Sequence, residues 1–160
     1  MIRSCPQCWN EIPANADHCP HCGRLTDETG LPFVERLLLT LGHPEPTRSG
    51  LAIDVLAGRL REPRAVLPLI DLLNTAQDIA IQQQAARGLG LLADRRAVPP
   101  LIRLLESEAA PLVTRREAAL ALARLGGVEA GRALERARID PRPSVAEAAR
   151  RALDLWRAGQ

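Results

Sequence analysis

Two stretches of this chain, LAGRLREPRAVLPLIDLLN (Leu56–Asn74) and GLGLLADRRAVPPLIRLLE (Gly88–Glu106), superpose at an offset of 32 residues. A third, ALARLGGVEAGRALERARI (Ala121–Ile139), follows at an offset of 33. Leu60, Leu92 and Leu125 fall together, as do Ala65, Ala97 and Ala130, and Leu69, Leu101 and Leu134. An internal period in the low thirties means stacked supersecondary units, none of which can bury its apolar face alone.

Each unit reads as two helices. Apolar residues at 3–4 spacing (Ala85, Leu89, Leu92, and again Ala119, Leu122, Leu125) mark the first helix. Asp78 is placed to cap it in the second unit, and Thr114-Arg-Arg-Glu117 and Ser144-Val-Ala-Glu147 read as capping boxes. The second helix starts near Arg64, Arg96 and Glu129. Pro68 and Pro100 sit in its first turn, where a missing N–H costs little, and Leu69/Leu72/Leu73 and Leu101/Leu104/Leu105 form its buried stripe. LPFVERLLLTL (Leu31–Leu41) matches a lone second helix and PSVAEAARRALDLW (Pro143–Trp156) a lone first helix. The pattern predicts helices near 31–41, 47–60, 64–74, 79–92, 96–107, 114–125, 129–138 and 144–157.

Composition agrees. The chain is 46% hydrophobic, yet Trp9, Phe33 and Trp156 are its only aromatics, so Leu and Ala supply the apolar mass and little is left for a β core. The net charge of +2 is too small to argue for nucleic acid, although all 21 basic residues are Arg. No apolar run precedes the first Cys and none approaches a membrane span, so no signal peptide is expected and the expected location is the bacterial cytoplasm.

The motif R-x-A-V-x-P-L-I-x-L-L after an Ala/Leu/Gly helix resembles HEAT-like repeats of the short bacterial type also found in phycobilin lyases. The likeness covers about 130 residues and weakens in the third unit, where Gly131 and Ala133 replace the Pro-bearing turn. It implies an all-α fold, a right-handed α-solenoid of about three full helix pairs with flanking half-repeats, over residues 31–160.

The four cysteines all lie in CPQCWNEIPANADHCPHCG (Cys5–Gly23), as two Cys-x-x-Cys pairs. In a reducing compartment this spacing argues for metal before disulfides, and no βαβ pattern surrounds either pair to support a redox site. Cys5, Cys8, Cys19 and Cys22 together suit one Zn²⁺, with His18 and His21 as substitute donors close by. Four thiolates leave no open position, so the expected role is structural. The module has almost no core of its own, and losing the metal should unfold residues 1–25. C-P-x-C…C-P-x-C-G resembles the short zinc ribbons found at the termini of many bacterial proteins, with Trp9 standing where that pattern usually has Gly. Residues 26–30 read as a linker to the helices.

On the inner helices Asp71, Arg103 and Arg136 form a ladder, with Glu106 beside it and Arg132 one turn from Arg136. These are the candidate partner-binding residues; a solvated helix face carries the same residue types by default. None of His18, His21 and His43 is followed by Glu, as HEAT-like di-iron hydroxylases require, and no nucleophile–base or phosphate-loop pattern is present. The expectation is a non-catalytic zinc-binding adaptor that recognises another protein, with self-association or membership of a larger complex open. Nucleic-acid association through the ribbon and Arg59, Arg61, Arg64, Arg87, Arg95 and Arg96 is the alternative, and a lyase- or chaperone-like factor the remote one.

Overall fold

The structure is a computed structural model that describes residues 1–6, 8–24, 26 and 31–158. Of the expected linker only Thr26 lies among the described residues. The N-terminal strands β1 (Ile2–Ser4) and β2 (Glu11–Pro13) pair antiparallel with Arg3 opposite Ile12. Ile12, Cys5 and Cys19 form a buried cluster of their own.

Eight α-helices follow among the described residues: α1 (Phe33–Thr40), α2 (Pro46–Ile53), α3 (Val66–Thr75), α4 (Ile79–Leu92), α5 (Val98–Glu106), α6 (Leu112–Leu125), α7 (Gly127–Ala137) and α8 (Pro143–Ala158). They build the expected α-solenoid: α2, α4, α6 and α8 stack as one layer, and α3, α5 and α7 pack behind the helices that follow them. The aligned Leu69, Leu101 and Leu134, and Ala65, Ala97 and Ala130, are all fully buried in one continuous core. Where α4 crosses α6, a Cβ on Gly90 would lie 2.8 Å from the Ala121 Cα, so only glycine permits that approach.

The first helix of unit one is one residue longer than its counterparts. Ser49 and Gln82 align at 33, each donating to a carbonyl at the end of the preceding helix pair (Leu41 O, 2.7 Å; Ala76 O, 2.9 Å). Asp54 and Arg87, also 33 apart, are ion-paired side by side at 2.6 Å. Beyond them the offset is 32. The chain absorbs the extra residue by continuing α2 as a π-helix over Asp54–Leu60, the usual result of a single insertion into an α-helix. All three first helices stop at a residue of positive φ, in αL at Arg61 and Ala93 and with extended ψ (−165°) at Gly126. Arg61 (φ 51°), Ala93 (φ 56°) and Gly126 (φ 69°) occupy equivalent positions, and after Arg61 and Ala93 the next residue, Glu62 or Asp94, receives the backbone N–H two residues on.

Two capping expectations are corrected. Asp78 does cap α4, accepting from Ala80 N at 2.7 Å and Ile81 N at 3.2 Å. Thr114 does not cap α6: Pro111 starts that helix earlier, which turns Thr114 into the core with its hydroxyl unpartnered among the described residues. Ser144 likewise lies inside α8, which begins at Pro143. Aligning α8 with α6 so that buried Leu153 overlies buried Leu122 puts exposed Arg150 and Asp154 where α6 has buried Ala119 and Ala123. The outward positions of α8 are therefore polar where those of α6 are apolar. No described helix is long and apolar enough to cross a membrane.

Candidate metal centre and repeat-surface groove

The two Cys-x-x-Cys turns are built alike. Cys5 N donates to Asn10 O and Trp9 N to Cys5 O, while Cys19 N donates to Arg24 O and Gly23 N to Cys19 O, all at 2.8–2.9 Å. Each turn therefore has one residue at positive φ, Trp9 (62°) in the first and Gly23 (71°) in the second. The geometry brings all four Sγ atoms within 4.8 Å of one another, with Cys8–Cys19 at 3.5 Å and Cys5–Cys22 at 3.8 Å. Four sulfurs at about 2.3 Å from a common centre in a tetrahedron would stand roughly 3.8 Å apart, so the residues present fit one metal ion. Amides are already aimed at the sulfurs: His21 N donates to Cys19 Sγ (3.4 Å) and Asn10 Nδ2 to Cys8 Sγ (3.5 Å). The Asn10 backbone and side-chain amides pull the Cys8 thiol down to about 6. The Arg24 backbone amide also favours ionised Cys22, but desolvation and the neighbouring sulfurs push that thiol up to about 11. A cation at the centre would remove this conflict by stabilising all four thiolates together.

Trp9 reaches out of the ribbon. Its ring centroid is 4.0 Å from that of His43, tilted by 56°, and His43 lies in the turn between α1 and α2.

The five candidate partner residues Asp71, Arg103, Glu106, Arg132 and Arg136 are all exposed on α3, α5 and α7. Glu106 and Arg136 are bound to each other at 2.5 Å, joining α5 to α7. Asp71, Arg103 and Arg132 make no side-chain hydrogen bond or ion pair among the described residues. Arg132 and Arg136 also line a groove of about 430 Å³ between α7 and α8, with Val128, Gly131, Glu135 and Trp156. Its floor is the Trp156 indole, which donates to Gly127 O at 3.1 Å and lies against the α7 backbone. A Cβ on Gly131 would stand 2.6 Å from that ring, so the glycine is what lets the indole lie flat. Glu135 is engaged by Arg157 (2.8 Å) and Arg138 (3.3 Å), and Arg136 by Glu106, which leaves Arg132 as the uncompensated charge of the lining among the described residues.

Arg115 is a residue that sequence reasoning missed. It lies near the start of α6 with its side chain buried, donates Nε–H to Leu105 O at 2.7 Å and pairs with Asp140, whose other partner is Arg142. The signal available was positional: Arg115 aligns with Ser49 and Gln82, the polar residues that tie each first helix to the unit before it.

Comparison with known proteins bears on both fold and function. A family model described as HEAT repeats matches residues 66–154, more than half of the chain. The bilin biosynthesis protein PecE of Mastigocladus laminosus is 39% identical over 67 residues, 42% of this chain and 23% of that protein. Among solved structures, the human deoxyhypusine hydroxylase in complex with glycerol superposes with a TM-score of 0.66 at 25% identity, covering 84% of this chain and 48% of that one. The complex of CpcE and CpcF of phycocyanin lyase from Nostoc sp. PCC7120 gives 0.65 at 27% identity, covering 84% and 57%. The chain thus spans about a quarter of the curated relative and about half of each solved chain.

These findings overturn the expectation of a non-catalytic adaptor, with nucleic-acid association second: the proteins this chain resembles are named for bilin biosynthesis, a lyase and a hydroxylase. The error had a physical source. Nucleophile–base pairs and phosphate loops are short local motifs, whereas a solenoid presents its chemistry on a broad helical surface that leaves none. Hydroxylase-type ligation has no counterpart here, because the cysteine tetrad is the one cluster of metal-binding side chains among the described residues. With the repeat units, their shared helix stops and the matching family model in agreement, the chain belongs to the HEAT-repeat family.

Proposed function

We propose that this chain takes part in a lyase-type reaction on a conjugated, carboxylate-bearing molecule of the bilin class, as one subunit of a larger assembly. The observation that carries this reading is the α7–α8 groove. Its floor is a flat indole whose N–H is already satisfied, its walls are apolar, and Arg132 is its one uncompensated cation among the described residues. A planar substrate body lies on Trp156 and beside Val128, and the Arg132 fork takes a carboxylate in two parallel hydrogen bonds. The volume falls in the ordinary range for small-molecule sites. The likeness to PecE and to the CpcE–CpcF complex supports the choice of substrate class and of a second protein as partner, with Asp71 and Arg103 free to meet that partner.

In the same reading Cys5, Cys8, Cys19 and Cys22 hold one Zn²⁺ that folds a ribbon over residues 1–25, ahead of a repeat array over 31–160, in a cytoplasmic protein. When bound, the ion supplies cohesion and no reactive position, since four thiolates complete its tetrahedron.

Titration of the full chain with biliverdin, an open-chain tetrapyrrole bearing two carboxylates, tests the groove. Saturable quenching of Trp156 is expected, with binding weakened about tenfold or more in Arg132→Gln, the size of a lost charge-assisted hydrogen bond. The absence of saturable binding, or equal binding by Arg132→Gln, would overturn the reading.

A further inference from the structure

We infer that the ribbon clamps the N-terminal end of the helical array through Trp9, so that metal occupancy sets how firmly the first helix pair is held. The inference is independent of the substrate and rests on where four groups stand.

The first is the backbone of Trp9. It closes the knuckle around Cys5 and Cys8, its N–H bound to Cys5 O at 2.9 Å, and it does so at φ 62°. The equivalent residue of the second knuckle is Gly23, which projects nothing: no atom lies within 4 Å of where its Cβ would be. A large side chain in the left-handed region is an unfavourable choice for turn geometry alone. It is retained here with its indole directed onto the helices.

The second and third are the residues it meets. The indole packs on the His43 ring at a tilt, and its Nε1 stands 3.8 Å from the Cβ position of Gly42. Nε1 is buried without a hydrogen-bond partner among the described residues, so the indole occupies this site through ring contact. His43 is held from its other side: Glu45 N donates to its Nδ1 at 2.9 Å, and Arg48 Nη1 lies 3.4 Å from Nε2. Glu45 is the N-cap residue of α2. Trp9 thus rests on the turn through which α1 and α2 are joined.

The fourth is α1 itself. Although it reads FVERLLLT, none of its residues is fully buried, and Phe33 is 55% exposed. A terminal helix with so little burial depends on whatever steadies its turn, and local opening is governed by just such sparse contacts. The knuckle fixes Trp9, Trp9 fixes His43, and His43 fixes the α1–α2 turn. With the metal gone the knuckle no longer defines where Trp9 points, and the clamp is released.

Hydrogen exchange on the full chain, loaded with Co²⁺ so that occupancy can be read from its thiolate absorption, tests this chain of contacts. In the wild type, stripping the metal with a chelator should speed exchange across Phe33–Leu60 by roughly threefold to tenfold, the size expected of one aromatic contact. Trp9→Gly supplies the residue that the turn geometry favours. It should keep the Co²⁺ spectrum, show the faster exchange already when loaded, and gain nothing there on stripping. His43→Ala removes the other half of the contact without touching the ribbon and should behave in the same way. Unchanged exchange in the stripped wild type, or a wild-type response to stripping in the variants, would overturn the inference. Should Trp9→Gly fail to load metal, His43→Ala decides on the same criteria.

Discussion

The ribbon and the repeats are held by opposite means. Among the described residues of 1–24 the buried apolar material is Ile12 and Pro6, with two cysteines. Burying such a side chain contributes about 2 kcal/mol, against roughly 1–2 kcal/mol of backbone entropy for each residue ordered. Everything else must come from the four sulfurs. The helices instead repeat a modest leucine and alanine contact many times, so their stability is a sum of similar increments. One region has a single point of failure, and the other weakens by degrees.

Removing the metal should break the comparison most visibly. The apparent stabilisation lost is on the order of 10 kcal/mol, enough to unfold the ribbon outright. Amide signals of residues 1–24 should collapse to unfolded positions in the NMR spectrum, while the far-ultraviolet helical signal persists. Loss of that helical signal together with the ribbon would show that the two regions are not separately stabilised.

A smaller effect sharpens the contrast from the helical side, where one charge does act as a keystone. Asp140→Ala leaves Arg115, whose side chain is 2% exposed, without its carboxylate, and should cost about 3–5 kcal/mol in urea unfolding. Stability should also depend on pH through this group. Arg142 first, and Arg115 with it, hold the Asp140 carboxyl well below the usual carboxylate range. Because the folded value is depressed, this stabilisation is fully present above the unfolded value of about 4 and is lost as pH falls towards the folded one. Wild-type stability should therefore drop in acid more steeply than that of Asp140→Ala. The smallest change is expected at Glu106→Gln. That variant breaks the Arg136 pair, but both side chains are more than two-fifths exposed, so denaturant midpoints should reveal less than about 1 kcal/mol.

The repeat and the cysteine tetrad were both legible because each is a pattern of spacing. Helix positions followed from leucines and alanines at fixed intervals, and a cluster of four thiols from two Cys-x-x-Cys pairs. What escaped depended on three-dimensional neighbours. Nothing local marks Arg115 as buried, since its partner lies 25 residues away in a different unit. Thr114 carried a true capping signal that Pro111 overrode by starting the helix earlier. The π-helical stretch is invisible in any single unit and emerges only from two conflicting alignments of the same helix. Trp9 stood out as a departure from its turn, but its contact with His43 required the fold to bring residue 43 beside it. The groove at Trp156 was the hardest to foresee, because it combines residues of α7 with one from the end of α8 and has no sequence signature at all.

The left-handed helix stop that Arg61 and Ala93 share also makes the array editable. Each stop ends one first helix in a backbone conformation that decouples it from the second helix of its pair, at nearly constant spacing. Residues 62–93 therefore amount to a transferable cassette, bounded on both sides by the same left-handed hinge. A duplicate inserted after Ala93 would enter with matching ends and extend the repeat surface by one step, leaving the ribbon and the polar terminal helix where they are. The length of the repeat surface is thus set by copy number, a quantity that gene duplication changes in a single event.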